Sequence, residues 1–260
     1  MQIIILTQED TFTIPRNIEK IFMISGVELL MIVNIKSKYS LENNKKIFLH
    51  GFGVLQVIKI GFKSIIYKFM NFFELNFGLY VSQNPRSLKS VSKKLKIRYS
   101  EISNPNQEEF LIELNKLNPD LIVSFSAPVV FKEKLLTLPK NGCINLHCSF
   151  LPNFAGVMPS FWTLYKKQST TGVTVHKMDS KIDNGLILKQ CEVEIINDET
   201  IFSLILKTKE IGGDLMCQAI TEIMTGEISY KENRTENGSY FTWPTVKEFK
   251  DFRKNGGRLI

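Results

Sequence analysis

The stretch Asn106–Cys148, NQEEFLIELNKLNPDLIVSFSAPVVFKEKLLTLPKNGCINLHC, decides the fold. Its first part sets Phe110, Leu111, Leu114 and Leu117 three and four residues apart, a spacing that gathers apolar side chains on one face of a helix. Asn118-Pro119 ends that helix, because proline has no N–H to donate and disfavours helical backbone in the residue before it. DLIVSFS follows as a nearly uninterrupted apolar run, the pattern of a strand buried on both faces. FKEKLLTL then reads as a helix and GCINLHC as another buried strand. This alternation predicts an α/β fold, a mostly parallel, Rossmann-like sheet with helices on both faces.

The same grammar extends toward the start of the chain. QIIILT (Gln2–Thr7) and VELLMIVNIK (Val27–Lys36) have strand length and composition, and Thr13 before Ile14-Pro15 suits a helix start, with the helix running to about Ser25. SLKSVSKKL (Ser87–Leu95) reads as a helix and KIRYSEI (Lys96–Ile102) as a short strand. Between Lys36 and Ser87 lies IFLHGFGVLQVIKIGFKSIIYKF (Ile47–Phe69), interrupted by His50, Lys59, Lys63 and Lys68. No uncharged run in it approaches the roughly 20 residues that span a bilayer. It reads first as a core-packed helix with lysines at its rim; an amphipathic helix touching a membrane surface is the lesser alternative.

After Thr171 the pattern changes. TGVTVHKM and LILKQCEVEI alternate as a short pair of strands with one wetted face, joined by a loop at Asp179–Gly185. ETIFSLILKTKEIGGDLMCQAITEIMTG then predicts a long C-terminal helix ending near Gly226. The polar stretch 227–260, with Trp243-Pro244, is expected to drape over a catalytic domain formed by residues 1–226.

The 260 residues, 43% hydrophobic and 23% charged, are enough to bury a full core. A net charge of +7, spread along the chain, suits anionic partners without selecting one, and also suits a merely lysine-rich surface. Cys143, Cys148, Cys191 and Cys217 are irregularly spaced, which argues against a disulfide framework or structural zinc and for a reducing, cytoplasmic compartment. The opening MQIIILTQED lacks the basic start and long apolar stretch of a signal peptide.

Ligands bind open parallel sheets beyond the carboxyl ends of the strands. His147 sits at such an end, and Asn145, two residues earlier, projects to the same side. If the loop carrying Asp183 folds over that side, an amide, an imidazole and a carboxylate converge. An amide and an imidazole can stabilise an oxyanion, and a carboxylate can hold the imidazole's tautomer and accept a proton. An isolated Asn-x-His on a strand is more often structural, so spacing alone does not decide. His50 reads as a rim or packed residue and His176 as a surface or supporting one; no pair has metal-ligand spacing, and no metal is expected.

NGCINLHCSFLPNFAG (Asn141–Gly156) followed by TGVTVHKMDSKIDNG (Thr171–Gly185) resembles the formyltransferase family that uses 10-formyltetrahydrofolate. The likeness rests on Asn145, on His147-x-Ser149-x-Leu151-Pro152 with Gly156, and on Asp183-x-Gly185. Pro119-Asp120-Leu121, Pro159, Trp162 and Thr171-Gly172-Val173-Thr174 extend it over roughly Asn118 to Gly226. It implies a catalytic trio of Asn145, His147 and Asp183, with 10-formyltetrahydrofolate as formyl donor. It also implies that the pterin lies against the loop with Ser124, Phe125, Ser126 and Ala127, and against Gly185 and Ile187, much of it on backbone. Ser149 would shape the amine side.

The chain departs from the family pattern at three places. Ala155 stands where many relatives carry arginine, which removes a cation from the acceptor side. LTQEDTFTIP replaces a glycine-rich first loop, so that Gln8, Glu9 and Asp10 either face the amine or form a solvated acidic turn. Residues from about 41 to 80 look like a variable helical insertion.

The resemblance implies an N-formyltransferase acting on a small-molecule amine, with a nucleotide-linked amino sugar as preferred acceptor. Two enzymes are alternatives: a methionyl-tRNA formyltransferase and a formyltetrahydrofolate hydrolase. The former carries a further C-terminal RNA-holding domain, and the 30-odd residues after Gly226 are too few and too weakly basic for nucleic acid to be expected. A folate-binding or membrane-docked protein without turnover is a third alternative. The apolar C-terminal helix and tail offer a surface for a homodimer.

Overall fold

Five parallel strands form the larger part of the main sheet in the computed structural model, which describes residues 1–9, 13–36, 51, 53–80 and 85–260. They are β1 (Gln2–Thr7), β2 (Glu28–Ile35), β3 (Arg98–Ile102), β4 (Leu121–Ser124) and β5 (Cys143–His147). With β7 (Thr170–Lys177) and β8 (Ile187–Glu194) they make a seven-stranded sheet in the order β3-β2-β1-β4-β5-β7-β8. The last two strands run antiparallel to their neighbours. A small second sheet pairs β6 (Ala155–Gly156) with β9 (Tyr240–Phe241).

Strand alternation divides the core. Ile3 and Ile5 of β1 pack with Ile18, Val123, Leu146, Met216 and Ile220 on one face, whereas Ile4 and Leu6 pack with Val33, Phe110, Leu114 and Leu135 on the other. Helices Ile14–Phe22, Leu88–Leu95 and Ile201–Thr225 cover the first face; Glu108–Leu117 and Glu133–Leu136 cover the second. Fully burying each such aliphatic side chain is worth about 1.5–3 kcal/mol, so the uniformly apolar strands account for the double covering. The helix boundaries follow local chemistry. Asn118 closes Glu108–Leu117 in the left-handed conformation, and Thr200 with Ser203 forms a reciprocal cap at the start of Ile201–Thr225.

The expected one wetted face holds for β8 but not for β7, whose Thr171–His176 are all buried. The long helix covers one side of β7, and the loop after β5 covers the other. Thr174 Oγ1 donates to the Ser149 carbonyl (2.7 Å) and accepts from Leu151 N–H (3.1 Å), so the polar residues of this strand are satisfied internally.

The C-terminal stretch is part of the packed body. Phe249 and Phe252 of helix Val246–Lys254 lie 4.7 and 5.3 Å (ring centroids) from Phe161, in helix Pro159–Tyr165. The Ile47–Phe69 segment appears, within the described residues, as helix Val54–Phe77; His50 lies outside them. Glu74 near its end is fully buried, accepting from Arg86 Nη1 (2.5 Å) and Ser90 Oγ (2.6 Å).

Candidate active site

Asn145 and His147 stand at the carboxyl end of β5, on the same side, as their two-residue separation requires. The antiparallel register with β7 sets Asn145 opposite His176 and His147 opposite Thr174. His176 Nδ1 donates to the Lys177 carbonyl (3.0 Å), and a carbonyl only accepts. In the neutral ring Nε2 is therefore the acceptor, and it faces Asn145 Nδ2 at 3.3 Å. Asn145 Oδ1 meanwhile accepts from Ser126 N–H (3.4 Å). These two partners fix which way the amide points.

Asp183, in the β7–β8 loop, reaches both histidines. Its Oδ2 is 3.4 Å from His147 Nδ1, and its Oδ1 is 3.5 Å from His176 Nε2. Oδ2 also accepts from Gly156 N–H (2.8 Å), and Asn233 Nδ2 donates to the Asp183 carbonyl (2.8 Å). Burial alone would push this carboxyl up. The charge of a protonated His147, a protonated His176 whose Nε2 then donates to the carboxylate, and the Gly156 N–H together outweigh it and hold the carboxyl down at about 2. His147 Nε2 donates to the Phe154 carbonyl at 2.9 Å, which leaves Nδ1 as the ring nitrogen beside the carboxylate.

Two glycines permit this closure. A Cβ on Gly185 would stand 1.8 Å from the Lys177 carbonyl oxygen, so the Asp183 loop can cross β7 this closely only with glycine there. Gly156, at φ +94°, would place a Cβ 2.2 Å from the Phe241 carbonyl oxygen. Asp183 itself has φ 50°, left-handed backbone that a short polar residue tolerates.

The three groups open onto a cavity of about 520 Å³, within the range typical of small-ligand sites. The loop after β4 contributes Ser126–Phe131 to its lining, and the Asp183 loop contributes Asp179 and Lys181–Asp183. Met158, Phe161, Ile205, Lys209 and Trp243 line a further side.

Asn145, His147, Asp183, Ser126, Ala127 and Gln8 all line this cavity. Other expected residues do not. Ser124 Oγ accepts from Ala127 N–H (3.2 Å), and the Phe125 carbonyl accepts from Thr7 Oγ1 (3.2 Å); both residues shape the loop from beneath. Gly185 acts through its close approach to β7, and Ile187 packs with Leu151 and Ala155. Ser149 is fully buried with its hydroxyl on the Asn153 carbonyl (2.7 Å), so it holds a turn and touches nothing in the cavity. Glu9 accepts from Leu88 N–H (3.0 Å) at a helix start, and Asp10 lies outside the described residues.

Of the two placements expected for His176, surface or supporting, the structure shows the supporting one: it is 2% exposed and lines the cavity while touching both Asn145 and Asp183. Its parity with Thr174 was visible; the β5–β7 register that makes it face Asn145 was not. Among the described residues no group of three or more His, Cys, Asp or Glu is arranged to hold a metal ion.

The Formyl transferase family model matches residues 80–220, just over half of the chain, and the chain belongs to that family of enzymes. It is 29% identical over 203 residues to a methionyl-tRNA formyltransferase of Caldanaerobacter subterraneus subsp. tengcongensis, covering 78% of this chain and 62% of the relative. It is 36% identical over 155 residues to the bifunctional polymyxin resistance protein ArnA of Wigglesworthia glossinidia brevipalpis, covering 60% of this chain and 24% of that protein. The chain thus spans less than two thirds of the length of these curated relatives.

Among solved structures, an N-formyltransferase from Helicobacter canadensis, in complex with folinic acid and dTDP-3-aminofucose, shares the fold. Its TM-score is 0.60 at 16% identity, over 96% of this chain and 79% of that one. Phosphoribosylglycinamide formyltransferase from Bacillus halodurans shares it equally, with TM-score 0.60 and 16% identity over 86% and 96% of the two chains.

Proposed function

We propose that the chain moves a formyl group from 10-formyltetrahydrofolate to the amine of a nucleotide-linked amino sugar. The observation that carries this reading is the meeting of Asn145, His147 and Asp183, distant in sequence, at the wall of one open cavity. On this reading residues 1–226 are the catalytic domain and 227–260 a tail packed on it, which braces the site through Asn233 and Ser239 and adds Trp243 to the cavity wall.

The residues present suit the donor. Ser126–Phe131 and Lys181–Asp183, which line the cavity, bring peptide groups and the exposed apolar side chains of Val130 and Ile182 to a flat heterocycle. When bound, the donor supplies the activated formyl carbon; one nitrogen–carbon bond forms to the acceptor amine as the bond to the carrier nitrogen breaks.

The chain's own groups then have distinct tasks. Asn145 Nδ2 carries two hydrogens and His176 takes one, so the other is available to an oxygen that gains charge in the cavity. His147 takes the proton that the attacking nitrogen must lose and passes it to the carrier nitrogen as that nitrogen leaves. Asp183, ionised beside His147 Nδ1, stabilises the positive ring that results. Met158, Phe161 and Ile205 restrict water at the cavity wall, which favours an amine over hydrolysis.

A phosphate-bearing acceptor is supported by Lys181 and Lys209 in the cavity lining. The Helicobacter canadensis neighbour, which pairs a folate with a nucleotide-linked amino sugar, offers the acceptor class carried over here. The sequence relatives favour a second reading, transfer to methionyl-tRNA.

Purified protein with 10-formyltetrahydrofolate separates the readings. Turnover with dTDP- or UDP-linked amino sugars, measured as tetrahydrofolate released with formylated sugar, is the expected result. Turnover confined to methionyl-tRNA supports the second reading, and formate released at the same rate without any amine identifies a hydrolase.

A further inference from the structure

Helix Val54–Phe77 carries an apolar seam on its outer side. Val54, Ile58, Phe62, Ile65, Phe69 and Phe72 recur in steps of three and four residues, and each is between 54% and 65% exposed. At 1.5 Å per residue this seam runs for about 27 Å, far more than the scattered apolar side chains of an ordinary surface. At 100° per residue Lys59 and Lys68 fall on opposite flanks of it.

The helix is pinned so that the seam faces outward. Near its start Gln56 Oε1 accepts from Leu259 N–H (2.8 Å), and the Lys63 ammonium lies 4.8 Å above the Phe202 ring. Near its end Glu74 is buried against Arg86 and Ser90. Rolling the seam inward would break contacts at both ends.

Charge decides what covers it. From Val54 to Phe73 the helix contains three lysines and no carboxylate, and the next residue, Glu74, is already paired. Two copies meeting through this face would oppose lysine to lysine. A bilayer with anionic headgroups complements it: apolar side chains enter the acyl boundary while the flanking ammonium groups stay among the phosphates. No described helix is long and apolar enough to cross a membrane, which leaves the in-plane orientation.

We propose that helix Val54–Phe77 lies flat in the interface of an anionic bilayer and holds the enzyme on the membrane surface. The inner side of the same helix supplies Ile60 and Lys63 to an apolar cleft of about 190 Å³, which shares Met158 and Ile205 with the active cavity. Docking therefore sets the active cavity one layer of side chains away from the lipid-bound element. The proposal does not depend on which amine is formylated.

Flotation of the full chain with vesicles tests it. Phosphatidylcholine vesicles containing a minority of phosphatidylglycerol should bind at least about tenfold more tightly than phosphatidylcholine alone, since each lysine near an anionic surface adds about fivefold and two flank the seam. Lys59→Glu with Lys68→Glu should remove that difference, and Phe62→Ser with Phe69→Ser should abolish binding, both with unchanged turnover of a soluble amine. Phe62→Trp provides a readout in otherwise native protein: its emission should move to shorter wavelength and be quenched by brominated lipid only on anionic vesicles. Absence of flotation, equal binding to both lipids, or a dimer in solution that Phe62→Ser with Phe69→Ser dissociates would each overturn the proposal.

Discussion

Asn145 presents its amide nitrogen to His176 Nε2 at 3.3 Å across the β5–β7 ladder, although the two residues are 31 positions apart. The contact makes His176 a positioning residue for the amide. His176→Ala should lower kcat by about tenfold to a hundredfold with little change in KM, because loss of an aimed donor weakens the transition state more than substrate binding. His176→Gln, which keeps an acceptor, should recover part of the loss; a purely structural role predicts no such difference between two equally folded variants.

His147→Ala and Asp183→Asn should each reduce formyl transfer by about 10²–10⁴ while folate binding, measured by titration calorimetry, remains within a fewfold. Retained turnover in either variant would remove these side chains from the mechanism.

The Asp183 carboxyl is depressed to about 2 by its two histidines and Gly156 N–H, in spite of burial. A depressed carboxyl contributes stability that is fully present above its unfolded value, near pH 4, and is lost as pH falls through about 2. The contribution is on the order of 2 kcal/mol at neutral pH. Urea unfolding should therefore show the gap between wild type and Asp183→Asn shrinking as pH falls from 4 to 2. The same depression keeps the carboxylate ionised throughout neutral pH, so the acid limb of kcat/KM belongs to another group.

Gly185→Ala should be severe for so small a change. The added carbon cannot share space with the Lys177 carbonyl, so the loop must lift and take Asp183 away from His147. A cost of about 1–3 kcal/mol or more, read as a lower Tm, should accompany loss of turnover.

Much of this was legible in the chain before folding was considered. β1, β2, β4 and β5 declare themselves because strands buried on both faces need apolar side chains at every position, as in Ile3–Leu6 and Leu121–Val123. Asn145 and His147 stand out because polar residues at the end of such a run need a reason to be there. The hidden parts depend on contacts between distant segments. The cover that Phe150 provides over Gly172 conceals β7, whose alternation alone suggests a wet face. Ser149 looks like a site residue by family resemblance, yet its hydroxyl donates to the Asn153 carbonyl. The Phe154 carbonyl, which orients His147, is backbone and leaves no mark in the sequence.

That carbonyl belongs to a loop held by the far end of the chain. Phe154 N–H donates to Ser239 Oγ (2.9 Å), 85 residues later, and β6 pairs with Tyr240–Phe241. During synthesis, the ribosome completes the strand that bears the imidazole long before the segment that braces it. Catalytic competence must consequently arrive late, after Phe241 has cleared the exit tunnel, and nascent chains halted earlier should be inert even with the sheet already assembled.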